Sequence, residues 1–290
     1  MPRSSLLLVL TALLAATVAH AQTPLPAAPE PVQLVATYQL RFQPDSTNPA
    51  SARTERLSLE MGKSFSRFQS EGERLSDSLQ TTFESLPMSF SQAGAQGFVQ
   101  ELTTKMLALP RTGFRHRIYK AAAGRTVWFV DRLGMSTYRY EEPAGFLTWA
   151  IAPATATIGG YACQRATTTF GGRQWEAWFT REVPISDGPY KFGGLPGLIV
   201  KVGDARQHYV YELLSVRKPA AERLIAFPTK TTAATRAAYL SAAADYNRDP
   251  MGRLTASAPA GAKIIVANPE QSQQMARERA KKNNNPLELK

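Results

Sequence analysis

Residues 187–199 read DGPYKFGGLPGLI, with four glycines and two prolines woven through aromatic and aliphatic residues. Glycine admits backbone angles that side chains forbid, and proline fixes φ near −65°, so this stretch prescribes a bent path of special dihedrals. Leu195, Leu198 and Ile199 plug the same path into apolar surroundings. The segment is therefore expected to be a built corner rather than a slack loop. Segments of period two flank it, RQWEAWFTREV (173–183) before and LIVKVGD (198–204) after, which places the corner between strands.

A glycine-rich loop also suggests a phosphate cradle. That chemistry needs backbone amides at a helix N-terminus, with a Gly-Lys-Ser/Thr ending or a GxGxxG run between a strand and a helix. Neither pattern is present, and a strand rather than a helix follows Gly197. Rigid loops on sheet scaffolds often carry recognition. Asp187, Tyr190, Phe192, Gly194, Leu195, Pro196 and Gly197 thus form a candidate binding rim, with Gly194 or Gly197 in a strained conformation and Lys191 replaceable by alanine at little cost.

The N-terminus carries Arg3, an apolar run from Leu6 to Ala16, and Ala19-His20-Ala21 before Gln22. This is the pattern of a secretory signal cleaved after Ala21, because the apolar run is too short to span a bilayer. No later stretch reaches about 18 uninterrupted apolar residues, so the mature chain is expected to carry no transmembrane segment. Pro24, Pro26, Pro29 and Pro31 make residues 22–33 an extended tether. Residues 34–290 then form a single domain, a size that one core can support. Cys163 is the one cysteine, which excludes an intramolecular disulfide in an oxidising compartment.

The formal net charge of +11 is spread in separate groups, without the aromatic-interleaved signatures of RNA-binding folds. Export and this scatter argue against nucleic acid. Scattered charge of this kind reads first as a solvated surface, and the sharper reading is attraction to an anionic envelope surface or an acidic partner.

Period-two segments dominate the rest of the chain. Val35 to Phe42 reads as a first strand, and Thr54–Met61 with Ser64–Gln69 as a hairpin through Gly62-Lys63. Arg117–Ala121, Thr126–Arg132, Ser136–Glu141 and Phe146–Ile151 read as an antiparallel meander. Gly171-Gly172 between Cys163–Phe170 and Arg173–Glu182 is a two-residue hairpin signal. Leu198–Val202 and His208–Val216 form a further hairpin. Helical spacing marks Glu71–Glu84 and Gln92–Leu109, and Thr232–Tyr246 and Pro269–Lys282 also read as helices. The expected fold is α+β: a strongly curved antiparallel sheet, a half-barrel-like meander, with a few helices packed on its concave face.

Several segments in one order resemble the GLPGLI family: MGKSFSRFQS (61–70), VDRLGMSTYRYEE (130–142), TIGGYACQRATTTFGGRQWEAWFTREVP (157–184), the glycine corner and the closing NNPLEL (284–289). That family comprises exported proteins of the Bacteroidota with no assigned activity, so the resemblance implies export and a common domain but no reaction. Residues 253–282 fit no motif of it.

Catalysis by a nucleophile needs a base and an orienting group beside it. With the signal removed, His116 and His208 are the only imidazoles, and no GxSxG elbow or cysteine-protease signature surrounds Cys163, which reads as a buried strand residue. HExxH and CxxC spacings are absent, so no metal or cofactor is expected. Asp131, Glu141, Glu142, Glu176, Glu182, Asp187 and Asp204 lie on or near strands, and Asp187 and Asp204 read as acceptors of turn amides. Alternation puts Trp175, Ala177 and Phe179 on one face and Trp178 with Glu176 on the other. Trp178 near Tyr190 and Phe192 suggests an aromatic patch, unless the corner folds back over the indole. Three readings remain: a non-enzymatic envelope binding module for an apolar ligand, a peptide or an outer-membrane protein; a hydrolase using carboxylates or Cys163; and an architectural envelope protein.

Overall fold

The computed structural model describes residues 25–26, 28–84, 97, 100–101, 104–105, 108–110, 112–122, 126–134, 136–256 and 269–289. The expected signal falls outside these residues, as does most of the helix expected over Gln92–Leu109. One large open sheet dominates, twelve strands wide and antiparallel throughout except for one parallel pairing at its edge. Its strands are β2 (Leu34–Phe42), β3 (Arg53–Met61), β4 (Phe65–Ser70), β5 (Arg117–Ala121), β6 (Thr126–Leu133), β7 (Ser136–Pro143), β8 (Ala150–Ile158), β9 (Tyr161–Phe170), β10 (Arg173–Thr180), β11 (Leu198–Asp204), β12 (Tyr209–Arg217) and β14 (Thr232–Ala233). The spatial order is β14-β7-β6-β5-β4-β3-β2-β12-β11-β10-β9-β8. β1 (Glu30–Pro31) and β13 (Leu224–Ile225) pair separately.

The helices are α1 (Glu71–Glu84), α2 (Arg236–Arg248), α3 (Pro250–Ala256) and α4 (Pro269–Lys282). α1 and α4 fall where the spacing predicts them. The helix expected over Thr232–Tyr246 does not begin at Thr232: Thr232–Ala233 pair in parallel with β7. Thr235 then caps α2 by accepting from the Ala238 amide.

Gly171 and Gly172 both take positive φ, 57° and 75°, and close the β9–β10 hairpin as the sequence suggests. The four-strand meander is corrected. β5, β6 and β7 are consecutive neighbours, but β8 starts at Ala150 and pairs with β9 at the opposite end of the sheet. Pro143-Ala144-Gly145, with Gly145 at φ 94°, turns the chain out of the sheet after β7.

Alternation along the strands gives the sheet two apolar faces. Ala36, Tyr38, Leu57, Phe68, Ile118, Phe129, Trp175 and Tyr211 build the larger core on one face. Val35, Phe65, Tyr119, Trp128 and Val130 build a smaller core on the other, with Ile225 and Phe227 laid over them. The glycine corner, α2 and the C-terminal strap (residues 283–289) cover the larger core.

Candidate functional site

The β10–β11 connection is pinned from inside. Asp187 and Gly193 form an isolated antiparallel bridge. The Ile199 amide donates to the Asp187 carbonyl (3.0 Å), and the Phe192 amide to the Pro189 carbonyl (3.0 Å). Phe192, Leu195 and Leu198 point into the larger core; Phe192 is 0% exposed and its ring lies 4.7 Å from that of Trp175. Tyr190 is held at φ 53°, a left-handed angle uncommon for a residue with a side chain. Gly194 and Gly197 take φ 85° and 142°. A Cβ on Gly197 would collide with the Thr180 carbonyl, whereas one on Gly194 would meet open space.

Asp187 does accept a corner amide, that of Gly188 at 2.7 Å. It also accepts from the Ser66 hydroxyl at 2.6 Å and pairs with Lys120. Burial depresses the Lys120 ammonium, the Asp187 carboxylate opposes that, and Lys120 donates to the Gly188 and Phe192 carbonyls as well. The turn role expected of Asp187 is therefore one part of a buried cluster linking β4, β5 and the corner.

Lys191 overturns its expectation. Its side chain is 0% exposed and its ammonium lies 2.6 Å from Glu142 and 2.7 Å from Glu288. It donates to the Tyr140 hydroxyl at 3.1 Å, and the rings of Phe129, Tyr140, Phe170 and Tyr190 surround it at 5.2–5.9 Å. Arg236 of α2 pairs with Glu288 at 2.7 Å and reaches Glu142 at 3.5 Å. Tyr190 donates to Glu288. Burial disfavours the ionised Glu288 carboxylate, but Lys191, Tyr190 and Arg236 outweigh it and hold the group below its usual range.

His116 packs against Phe114, Phe129 and Tyr190 with its Nε2 enclosed and unbonded among the described residues. Burial, and then the Lys191 charge, lower its pKa to about 3.

The C-terminal strap supplies a second lock. Arg173 donates to Asn285 (2.6 Å), Pro286 (2.6 Å) and Leu287 (2.9 Å) and pairs with Asp204 at 3.1 Å. Asn285 donates to the Gln43 carbonyl and Tyr209 to the Asn285 carbonyl, both at 2.6 Å. Asp204 accepts its expected turn amide, that of Tyr209 at 2.6 Å.

Trp178 does not join Tyr190 and Phe192. It stands half-buried on the opposite face of the sheet, flanked by Arg165 and Lys201, and its Nε1 donates to Glu176 at 3.0 Å. The corner covers Trp175 instead. An aromatic patch made of all three residues is thereby corrected: strand parity sends Trp178 one way and the corner folds the other. Cys163 is 2% exposed, and burial pushes its thiol up.

Open space lies elsewhere. A cavity of about 380 Å³ opens where the first turn of α1 meets the end of β6 and the C-terminal part of α2, with Glu73, Ser76, Thr112, Arg115, Arg132 and Tyr246 on its walls. No expectation from the sequence named these residues. The available signal was Ser70-x-x-Glu73 before a helix, which reads as a reciprocal cap.

Residues 170–201, the β10 hairpin and the corner, match the family described as protein of unknown function (Porph_ging). No curated protein matches the chain. Among solved structures, PNGF-II in two crystal forms is similar at 14% and 15% identity, with a TM-score of 0.48 in each. These alignments cover 73% of this chain and 33% and 32% of those chains, so the chain spans about one third of their length. Among the described residues, no helix is long and apolar enough to cross a membrane.

Proposed function

We propose that the protein is an exported, non-enzymatic binding module of the cell envelope, a member of the GLPGLI family with a strongly curved, half-barrel-like sheet. Residues 1–21 serve as its cleaved signal and 34–290 as one domain, and the expected tether, 22–33, is docked on that domain at its end, where Glu30–Pro31 pairs with β13 and Val32 is buried. The carrying observation is a division between closed and open polar groups. Around the corner, Lys120, Asp187, Lys191, Glu142, Glu288 and Arg236 are spent on one another inside the fold. Around the cavity, polar groups converge on accessible space. Interlocked interior charges hold a scaffold, whereas a concave site of some 300 Å³ or more with a few converging polar groups is what small ligands occupy.

The hydrolase reading draws less support. Carboxylate catalysis places two carboxyl groups across a substrate, and Glu73 is the one carboxylate on the cavity wall among the described residues. The positive net charge, +11 for the whole sequence and +10 once Arg3 leaves with the signal, favours an anionic envelope partner.

The test is co-purification. The chain from residue 22 is immobilised and exposed to its own envelope fraction, in parallel with Ser76→Trp, whose indole fills the cavity. Enrichment over a control basic protein, lost in the folded Ser76→Trp variant, is expected. Capture no better than the basic control, or undiminished by Ser76→Trp, contradicts the reading.

A further inference from the structure

Glu73 is out of keeping with the rest of the interior. It is 7% exposed, yet among the described residues no hydrogen bond or ion pair holds its carboxylate. A glutamate three residues after a capping serine ordinarily returns to the backbone amide of that serine. Ser70 does cap α1, accepting from the Gly72 amide at 3.1 Å. Its own residue, however, lies in the β3–β4 ladder opposite Leu57, and Glu73 is turned to the cavity instead. Burial, and then the neighbouring Asp77, work against its negative charge, and the charges of Arg132 and Arg117 offset only part of that, so the carboxyl is held above its usual range. Every other buried carboxylate around the larger core, by contrast, has a cation or a hydroxyl on it.

The opposite chemistry lies at the mouth. Arg115 and Arg132 are exposed and share the cavity wall with Glu73, as do the hydroxyl-bearing Ser76 and Tyr246. The cavity wall thus carries a buried carboxylate and, at exposed positions, guanidinium groups. Arginine suits a carboxylate because its planar fork meets two oxygens at once. A ligand complementary to both carries a cation and a carboxylate a short distance apart. Leu109 and Pro110 add apolar surface to the same wall.

We propose that the cavity binds a small zwitterion, a free amino acid or a peptide of two or three residues, with its ammonium on Glu73 and its carboxylate on Arg115. This rests on the binding-module reading and gives its ligand a chemical class. The volume of about 380 Å³ sets the upper size, since a longer peptide would have to leave through the mouth.

Isothermal titration calorimetry on the chain from residue 22 tests it, with L-alanyl-L-alanine and L-leucyl-L-leucine as probes and their N-acetylated and C-amidated forms as controls. At least one free dipeptide is expected to bind, with affinity falling at least tenfold when either terminus is blocked. Glu73→Gln should lose at least tenfold for the free peptide while its thermal midpoint stays level or rises, because the substitution removes a buried charge that its surroundings disfavour on balance. Arg115→Gln, at the exposed rim, should weaken binding without touching the midpoint. Equal affinity for the N-acetylated peptide would mean an anion site only and overturns the proposal. So does failure of both free dipeptides to bind at millimolar concentration. Capture from the envelope fraction that is sensitive to Ser76→Trp would then leave the broader reading standing with a different ligand.

Discussion

The ammonium of Lys191 has exchanged water for two carboxylates, a phenol and four aromatic faces. Breaking a buried charge set by removing one member is far costlier than its net contribution, because the remaining charges stay desolvated. Lys191→Met keeps the stem volume and removes the charge, leaving Glu142 with Arg236 and Glu288 with Arg236 and the Tyr190 hydroxyl. Chemical denaturation should show a loss of about 3–5 kcal/mol. An unchanged midpoint would mean that the cluster is dispensable. The sequence could not disclose this residue as a keystone. Tyr190 and Phe192 on either side hint at burial, but the charge becomes tolerable only through Glu288 near the far end of the chain.

His116 makes the same region sensitive to acid. Its pKa is lowered from the usual 6.5 to about 3, so the unfolded chain binds a proton in this window and the folded one does not. The stability tied to its neutral form is complete above about pH 6.5 and drains as the pH falls towards 3, at about 1.4 kcal/mol per unit. Glu288 acts in the same direction below its ordinary range, since its carboxyl is held low in the folded state. Denaturation midpoints measured between pH 7 and pH 4 should therefore fall for the native chain and fall less for His116→Phe. Parallel curves would show that His116 is protonated without penalty.

At the scale of elements, legibility followed locality. The Gly171-Gly172 hairpin, α1 and α4 were readable because a two-residue turn or a helical period is decided within a few neighbouring residues. The β7–β8 connection was not, since nothing between Pro143 and Trp149 indicates that the next strand pairs with β9 rather than β7. The corner was readable as a bent backbone, and its two decisive glycines differ in kind. Gly197 is needed for space as well as angle, and Gly194 for angle alone. Gly197→Ala should cost about 3 kcal/mol or more and Gly194→Ala about 1–2 kcal/mol, read from urea midpoints. Equal losses would contradict the close approach to Thr180.

Over the whole molecule, the ends of the chain act as fasteners. β1 pairs with β13 beside the smaller core, while the strap at residues 283–289 ties β10, β12, α2 and the end of β2. Strand neighbours such as β2 and β12 lie far apart in sequence, which is why their pairing could not be read from local pattern. The site followed the same rule: Trp178, Tyr190 and Phe192 are close in sequence and separated by the sheet, whereas Glu73, Arg115 and Tyr246 are far apart and share a cavity. The central claim is this separation of a charge-locked scaffold from an open site. It is tested most directly by envelope capture with native and Lys191→Met chains at a temperature where both are fully folded. Equal capture per folded molecule is predicted, since Lys191 faces no ligand. Loss of capture by a folded Lys191→Met chain would place the function in the buried cluster and contradict the account.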